Sequence, residues 1–260
     1  MRKLITILGV FLVALLAQSA FAAGYALFDA PTDTISVNGN SVIGTAMTIE
    51  ARVKINVNTG LYTAIFSEWS SDREDKYLVM GPDQKINGYS YHPGGLTPLV
   101  SSATLSLNEW HHVAYVYDGS QERLYLDGIK VGSRPASGDV LDYSGSISTV
   151  GAIPRDNQIT ASFQGELDTL RFSTIARYTG DSFTAPTGDL TSDAYTNLLY
   201  NFNEPLNSTV VYDLSGNGRN GYFGTGFSGA TSPTLVPEPA TMLLLGLGGL
   251  GLLGRKRSKA

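Results

Sequence analysis

The most constraining feature of this sequence is a strict alternation of apolar and charged side chains from Met47 to Ile55. The apolar members are Ile49, Ala51, Val53 and Ile55, and the charged members are Glu50, Arg52 and Lys54. Successive side chains of a β-strand point to opposite faces of its sheet. The alternation therefore predicts a strand whose apolar face is buried and whose charged face meets solvent.

A hairpin is predicted around the dipeptide Asp127-Gly128. Residues 122–126 and 129–132 flank it, and Asp-Gly tolerates the positive φ values of a two-residue type I′ turn. Further strands are predicted at residues 61–69, 77–81, 86–91, 112–118, 163–173 and 197–202. Short strands separated by turn residues, without helical periodicity or an obvious repeat, predict an all-β protein built as a sandwich or a barrel.

The first 22 residues have the pattern of a secretory signal peptide. Arg2 and Lys3 precede an apolar run over residues 4–17, and Ala20 and Ala22 supply the small residues of a cleavage site. The run is shorter than the ~20 residues that span a bilayer. We therefore expect removal after Ala22, rather than retention as an anchor.

The other end combines three features in a fixed order. Pro237, Glu238 and Pro239 precede an apolar stretch over residues 240–254, and a basic tail over residues 255–260 follows. The apolar stretch has only about 15 residues, five of them glycine, so it predicts a marginal transmembrane segment with its basic tail in the cytoplasm. The two prolines keep the preceding chain extended and accessible to a protease. A plain tail anchor is the alternative interpretation.

This end, VPEPATMLLLGLGGLGLLGRKRSKA, resembles the PEP-CTERM sorting signal of Gram-negative bacteria. The resemblance implies cutting near the Pro-Glu-Pro triplet by an exosortase-type enzyme, a membrane enzyme with a cysteine nucleophile. It also implies an inner-membrane intermediate, followed by delivery to the cell surface or the extracellular matrix. The membrane would then be a partner only through the C-terminal segment, before processing.

The body between the two ends is acidic and lacks cysteine. Six of the 18 Lys and Arg residues lie in the end segments, as does one acidic residue of 23, Glu238, which leaves 12 basic and 22 acidic residues. The resulting net charge of about −10 disfavours nucleic acid and anionic lipid as partners. Without cysteine, thiol catalysis, thiolate zinc sites and disulfides are excluded.

Four segments of the body resemble laminin-G-like domains of the concanavalin-A-like jelly-roll class. They are EWHHVAYVYDG at 109–119 with LYLDG at 124–128, GELDTLRF at 165–172, YALFDAPTDTISV at 25–37, and LYNFNEPLNSTVVYDLSGNGRNG at 199–221. Most members carry the last of these before the early strand pair, whereas here it follows. Strand ends lie close together in such sandwiches, so a permuted order is physically tolerable. The resemblance implies a two-sheet antiparallel jelly-roll sandwich.

These observations divide the chain into five parts. They are a signal peptide (1–22), one laminin-G-like domain (23–230), a linker with the Pro-Glu-Pro motif (231–239), a transmembrane segment (240–254) and a basic cytoplasmic tail (255–260).

Two segments resemble a metal site or an enzyme site in part, but each lacks a residue that its chemistry requires. The loop that starts at Asp213 begins like an EF-hand, but its twelfth position is Gly224, where a bidentate Glu is needed, so an ordinary turn is predicted. Glu166 and Asp168 resemble part of the catalytic strand of laminarinase-like glycosidases. The position of the general acid is occupied by Arg171, which cannot release a proton. No catalytic residues are therefore assigned.

A structural calcium ion is implied by the laminin-G-like resemblance. An aspartate on the late strand of such domains often helps to hold calcium, and Asp168 matches that position. Asp29 is a weaker match from the early strand, because Ala30 stands where family members usually carry glycine. The alternative is that both are ordinary surface aspartates.

Ligand binding is predicted at aromatic residues near the loop at residues 89–95. Tyr89, Tyr91, His92 and Trp69 are the candidates, because aromatic rings beside polar groups stack well on sugars. The alternative for each is packing. His111 and His112 are adjacent on a predicted strand and should point to opposite faces, so they cannot share a metal ion.

The sequence thus predicts an exported, non-enzymatic protein that binds carbohydrate or another extracellular polymer. The alternatives are a polysaccharide-degrading enzyme of the same fold and a purely structural component of the matrix.

Overall fold

The structure, a computed structural model, describes residues 24–39, 44–69, 74–93, 97–141, 146–155 and 157–237. The signal-peptide residues Ala20 and Ala22, and the tail from Glu238 through Pro239 to residue 260, lie outside the described residues. Within those ranges, no helix is long and apolar enough to cross a membrane.

Eighteen β-strands make up the regular structure of the described ranges. They are β1 Gly24–Phe28, β2 Ile35–Val37, β3 Met47–Ile55, β4 Thr63–Trp69, β5 Glu74–Met80, β6 Lys85–Ser90, β7 Leu99–Thr104, β8 Trp110–Tyr117, β9 Gln121–Leu126, β10 Ile129–Pro135, β11 Ile147–Val150, β12 Ile153–Arg155, β13 Gln158–Thr160, β14 Gly165–Ser173, β15 Thr196–Tyr200, β16 Val210–Val211, β17 Gly221–Phe223 and β18 Thr234–Pro237.

Two large antiparallel sheets pack face to face. The first sheet has the order β10-β9-β8-β3-β14-β1-β18, with β15 also paired to β14. The second sheet has the order β16-β17-β2-β11-β4-β5-β6-β7. A separate hairpin, β12-β13, packs through Ile153 on the outer face of the second sheet. This architecture confirms the predicted all-β jelly-roll sandwich.

The strongest local predictions correspond to observed elements. The alternating segment forms β3, and its four apolar side chains all lie in the core between the sheets. The hairpin joins β9 to β10 through Asp127 and Gly128, whose φ angles of 50° and 79° are the two positive values of a type I′ turn.

In the core, the backbone of Gly88 on β6 lies very close to a side chain of the opposite sheet. A Cβ atom at this position would lie 2.3 Å from the ring of Tyr115, which reaches across from β8. Tyr115 is fully buried, and its hydroxyl lies 2.9 Å from that of Ser90. Because Gly88 has no side chain, the Tyr115 ring can occupy this part of the core.

The C-terminal third of the described chain completes both sheets. β15 pairs with β14 in the first sheet, and β17 pairs with β2 in the second. The segment that is displaced in the sequence therefore belongs to the same sandwich, as predicted.

The predicted linker is corrected at residues 234–237. These residues form β18, which pairs with β1, and Leu235 is buried in the core. A backbone with unpaired hydrogen-bonding groups at the edge of β1, together with an apolar side chain that can be buried, favours a strand over a free linker.

Candidate functional site

Three of the four predicted ligand-binding residues lie on the outer face of the second sheet. Tyr89 on β6 is opposite Tyr77 on β5, and the two rings stack with centroids 5.2 Å apart. Tyr91 packs against this pair from just beyond β6. Trp69, at the end of β4, pairs with the outward-facing Ile147 of β11. We call Trp69, Tyr77, Tyr89 and Tyr91 the aromatic face.

The members of the aromatic face differ in how much ring they leave accessible. Trp69, Tyr77 and Tyr89 are only 6–7% exposed, whereas Tyr91 is half-buried. The Arg155 guanidinium lies 5.2 Å from the centre of the Trp69 ring. The indole N–H of Trp69 is buried without a hydrogen-bond partner. Trp69, Tyr77 and Tyr89 thus form a packed floor, beside which Tyr91 is half-buried and Arg155 is exposed.

Tyr77 was missed as a site residue, although its strand was predicted. Its signal was its position at the start of an apolar run, in the predicted strand that precedes the one carrying Tyr89. The residue opposite it is set by the register of β5 and β6, which single-sequence patterns do not determine.

His92 is not part of the aromatic face, and its predicted placement there is corrected. Its side chain is fully buried between the sheets. Its Nδ1 lies 3.2 Å from the carbonyl oxygen of Ser137, and its Nε2 lies 3.2 Å from Oε1 of Glu122. The ring also stacks on Tyr117. Both ring nitrogens therefore have hydrogen-bonding partners, and one face of the ring is covered by Tyr117.

Glu122 is the centre of a buried polar cluster at this end of the sandwich. The Tyr115 hydroxyl donates to its Oε1 at 2.6 Å, and Arg134 pairs with its other oxygen. Burial raises the pKa of Glu122, but the hydrogen bonds from His92 and Arg134 outweigh burial, so that the pKa lies below its usual value. Burial and the Glu122 charge raise the pKa of Tyr115.

A second buried carboxylate, Glu50, lies on the outer side of the first sheet. Arg171 donates to it at 2.7 and 2.8 Å, the Tyr178 hydroxyl at 2.7 Å, and His112 Nε2 lies 3.0 Å away. The expectation of a solvent-facing Glu50 is wrong. The segment after β14 crosses this face, where Tyr178 and Phe183 pack on the sheet.

The two adjacent histidines point to opposite sides, as predicted. His112 contacts Glu50 on the outer face, whereas His111 Nδ1 lies 2.7 Å from Asp127 Oδ2 at the end of the β9-β10 hairpin. They form no common site.

The carboxylates of β14 that suggested glycosidase chemistry are both ion-paired with β3. Glu166 lies 2.9 Å from Lys54 Nζ, and Asp168 lies 2.6 Å from the Arg52 guanidinium. Arg52 also lies over the Trp110 ring, 4.5 Å from its centre. These contacts explain the alternation of charge on β3, whose cations are the counterions of the β14 carboxylates.

Asp168 and Asp29 do not fit a single calcium site. β1 and β14 are antiparallel, and Ala26 is opposite Leu167. Asp168 therefore lies beside Tyr25, four residues from Asp29 along β1, which is roughly 13 Å. Among the described residues, no group of three His, Asp or Glu side chains could hold a metal ion. Calcium binding at either aspartate stays a prediction.

The loop after β16 is a turn organised by one aspartate. The carboxylate of Asp213 accepts the backbone N–H groups of Leu199, Ser215 and Arg219 at 2.9–3.1 Å. This arrangement matches the prediction of an ordinary turn rather than an EF-hand.

The two antiparallel sheets define a jelly-roll sandwich, and comparison with family models shows the superfamily to which the chain belongs. Residues 29–181 match the model of the concanavalin A-like lectin/glucanases superfamily. This match covers more than half of the chain, which therefore belongs to that superfamily. Residues 235–258 match the PEP-CTERM protein-sorting motif, which marks an exported protein that is anchored at the membrane before processing.

Solved structures that are similar to this chain include the following three, the first of which supports the fold. A protein from Bacteroides ovatus, proposed to bind carbohydrate, has a TM-score of 0.66 at 17% identity, over 84% of this chain and 60% of its own. This chain thus spans less than two thirds of that protein. A pentraxin from Limulus polyphemus has a TM-score of 0.47 at 15% identity (61% of this chain, 79% of its own). Domains LG4-5 of the mouse laminin alpha1 chain have a TM-score of 0.45 at 15% identity (65% and 48%). No curated protein matches the chain.

Proposed function

We propose that this protein is a non-catalytic carbohydrate-binding protein that is displayed outside a Gram-negative cell. An exosortase-type enzyme would process it near Pro237-Glu238-Pro239 and release it to the surface or the extracellular matrix. The observation that carries this proposal is the direct succession of a concanavalin A-like sandwich and a PEP-CTERM motif in one chain. The protein from Bacteroides ovatus with the same fold supports carbohydrate as the ligand class.

Ion pairing on β14 supports binding rather than hydrolysis. A retaining glycosidase needs two carboxyl groups about 5 Å apart, one of them able to donate a proton. Glu166 and Asp168 are each held by a cation of β3, and Arg171 is committed to Glu50. Both carboxylates are thus engaged as ion-pair partners within the sheet, which favours a structural role over a catalytic one.

The aromatic face is our proposed site for the sugar. Tyr91 offers a half-buried ring for stacking, beside the packed ring of Trp69, whose buried indole N–H has no hydrogen-bond partner. Arg155, held over Trp69, supplies further donors for hydroxyl groups. One apolar ring with a few fixed polar groups is the usual composition of a small-molecule site.

The test is binding of the purified protein to a glycan array and to matrix polysaccharide from the host. We expect binding that Tyr91→Ala weakens about threefold to tenfold, consistent with the ~0.5–1.5 kcal/mol of one aromatic contact. Trp69→Phe should weaken it through loss of the N–H while a ring is retained. Tyr222→Ala is the matched control. Tyr222 is an exposed tyrosine on β17, which lies near the opposite edge of the same sheet.

Two results would redirect the proposal. Uniform absence of binding would leave a purely structural role in the matrix. Turnover of a polysaccharide that is abolished by Glu166→Gln would show an enzyme of the same fold instead.

A further inference from the structure

The first and last described residues lie at the same edge of the sandwich. In the antiparallel pair of β1 and β18, Gly24 is opposite Pro237, the first residue of the sorting triplet. The other edge is closed by β7 and β10, where the Ser102 hydroxyl donates to the carbonyl oxygen of Val131 at 2.8 Å. β16 and β18 end their sheets on the side away from that closure. We call the side of β16 and β18 the exit side, because the tail leaves the domain there.

Three large apolar side chains of the exit side are exposed to solvent. They belong to Leu206, Tyr212 and Leu214, which are 44%, 56% and 50% exposed. Leu206 lies directly beside the end of β18, since it lines one cavity together with Pro237 and Glu204. The backbone N–H of Tyr212 donates to Glu204 at 2.9 Å, which places Tyr212 next to the same wall. We call Leu206, Tyr212 and Leu214 the exit patch.

The exit patch lacks exposed charge, although the body of the protein is acidic. Between residues 195 and 214, the charged residues are Glu204 and Asp213, and both are partly buried. Asp213 stands between Tyr212 and Leu214 in the chain, but its carboxylate turns inward and accepts backbone N–H groups at 2.9–3.1 Å. Single exposed apolar residues are ordinary, whereas a group of them without charge is typical of an interaction surface.

The position of the tail indicates what covers the exit patch. The apolar stretch of the PEP-CTERM motif, residues 240–254, begins three residues after Pro237. Three residues span at most about 11 Å, so the exit side is held close to the bilayer while the tail anchors the protein. Tyrosine is enriched where membrane meets water, because its ring packs on apolar groups while its hydroxyl stays hydrated. An uncharged patch also avoids the repulsion that the acidic body would meet at anionic headgroups.

We propose that the exit patch is a membrane-contact surface, which lies in the interfacial region of the bilayer until the tail is cut. The domain then has one orientation on the membrane instead of turning freely on its tether. β6, which carries Tyr89, is six strands away from β16 in the same sheet. At the usual strand spacing this separation is about 29 Å along the sheet. The aromatic face is therefore clear of the bilayer while the protein is anchored.

The tether is needed for this contact. Three side chains bind a bilayer only weakly, but a short tether gives them an effective concentration on the order of mM. Removal of the tail would lower that concentration to that of the free protein. Processing would therefore release the exit patch from the membrane together with the domain.

The first test uses site-specific fluorescence of the chain without its signal peptide, residues 23–260, in phosphatidylcholine nanodiscs. The chain has no cysteine, so Leu206→Cys or Tyr212→Cys introduces a single thiol for an environment-sensitive dye. Val100→Cys is the matched control, because Val100 is an apolar residue of 45% exposure on β7, at the opposite edge. We expect blue-shifted emission and quenching by a nitroxide-labelled phospholipid at Leu206 and Tyr212, and neither at Val100. Equal emission at the three positions would overturn the proposal.

The depth of the dye and its neighbour are read from the same samples. Apolar faces at a membrane interface lie about 5–10 Å deep, so a nitroxide at the top of the acyl chain should quench more than one at its end. Blue-shifted emission without quenching by lipid would mean that a second copy of the chain covers the exit patch, and would also contradict the proposal. None of these readouts involves a glycan or a processing enzyme, so they are independent of the proposed function.

A second test separates contact from mere closeness on the tether. Insertion of about ten Gly and Ser residues after Pro239 lengthens the tether by roughly 16–19 Å. The dye at Leu206 should stay quenched, because the exit patch itself binds the bilayer. Adding Leu214→Asp should then reduce quenching to the level of the Val100 control, whereas Leu61→Asp, at an exposed apolar residue between β3 and β4, should not. Quenching that is lost on lengthening alone would show closeness without contact.

Discussion

The His92 ring lies flat on the Tyr117 ring, with centroids 4.5 Å apart and planes 5° from parallel. Tyr117 comes from β8 in the first sheet, and His92 follows β6 in the second, so this contact joins the two sheets. The Tyr117 hydroxyl continues the contact by donating to the carbonyl oxygen of Gly138. His92 is thus part of the packing that closes one end of the sandwich.

We predict that His92→Ala lowers the free energy of unfolding by about 2–4 kcal/mol. The substitution removes a buried ring and one of the partners of buried Glu122. Urea unfolding measures the change, and His111→Ala, at the more exposed end of β8, is the control with a smaller expected effect. Unchanged stability together with lost glycan binding would return His92 to the ligand-binding site.

Gly88→Ala tests the close approach between the sheets. The added methyl group would overlap the buried Tyr115 ring, whose hydroxyl is held by Ser90 and Glu122 and cannot easily move. We expect a loss of about 1–3 kcal/mol or more, as for other overpacked cores. Gly188→Ala is matched to it, since nothing lies within 4 Å of a Cβ atom there, and it should stay within about 0.5 kcal/mol. Equal stability of the two variants would show that Tyr115 relaxes freely.

Local patterns in the sequence predict the strands and turns, but not which distant segments of the chain cover them. The alternation in β3 and the Asp127-Gly128 turn are short-range signals, and both correspond to observed structure. Glu50 looked solvent-facing because its neighbours on β3 alternate with apolar residues. Its burial depends on a segment more than 120 residues later in the chain, which includes Tyr178. The sequence pattern of β3 does not predict that contact. His92 is a similar case, since Glu122 is 30 residues away.

Loss of the Glu50 charge should strongly destabilise the fold. Glu50→Gln leaves Arg171 buried beside a neutral partner, and removal of one member of a buried pair costs about 3–5 kcal/mol. Glu109→Gln removes an exposed carboxylate from the bend directly before β8 and should change stability by less than about 0.5 kcal/mol. Chemical unfolding of both variants at pH 7 gives the comparison, and similar values for the two would contradict the role of the Glu50 cluster.

The same cluster predicts acid sensitivity. Burial raises the pKa of Glu50, but the hydrogen bond from His112 and the charge of Arg171 outweigh it and lower the pKa. A carboxyl group with a lowered folded pKa contributes stability above its unfolded pKa of about 4.3, and that stability is lost as the pH falls through the folded value. The midpoint of urea unfolding should therefore fall steeply below about pH 4. The fall should be shallower in Glu50→Gln, and equal slopes would assign the acid sensitivity elsewhere.

Asp118 makes a separate contribution to the stability of the fold, which is lost at lower pH. Burial raises its pKa, but hydrogen bonds from Arg123 and from Ser120 outweigh burial and lower the pKa to about 2. Its contribution is present above the unfolded pKa of about 3.9 and is lost as the pH falls towards 2. Asp118→Asn should flatten the stability curve between about pH 4 and 2 and leave the contribution of Glu50 intact. An unchanged curve in that window would show that the Arg123 contact does not stabilise the charged form.

The ion pair of Arg52 with Asp168 leads to an expectation about calcium that runs against the family resemblance. A guanidinium group 2.6 Å from the carboxylate already supplies a counterion, and a divalent cation there would meet its repulsion. We therefore expect excess chelator to leave the melting temperature unchanged, because only an ion bound to the folded state can shift it. A chelator-induced fall that disappears in Asp168→Asn would establish calcium at this strand and require Arg52 to move away. A fall that persists in Asp168→Asn but is lost in Asp29→Asn would place the ion at the end of β1 instead.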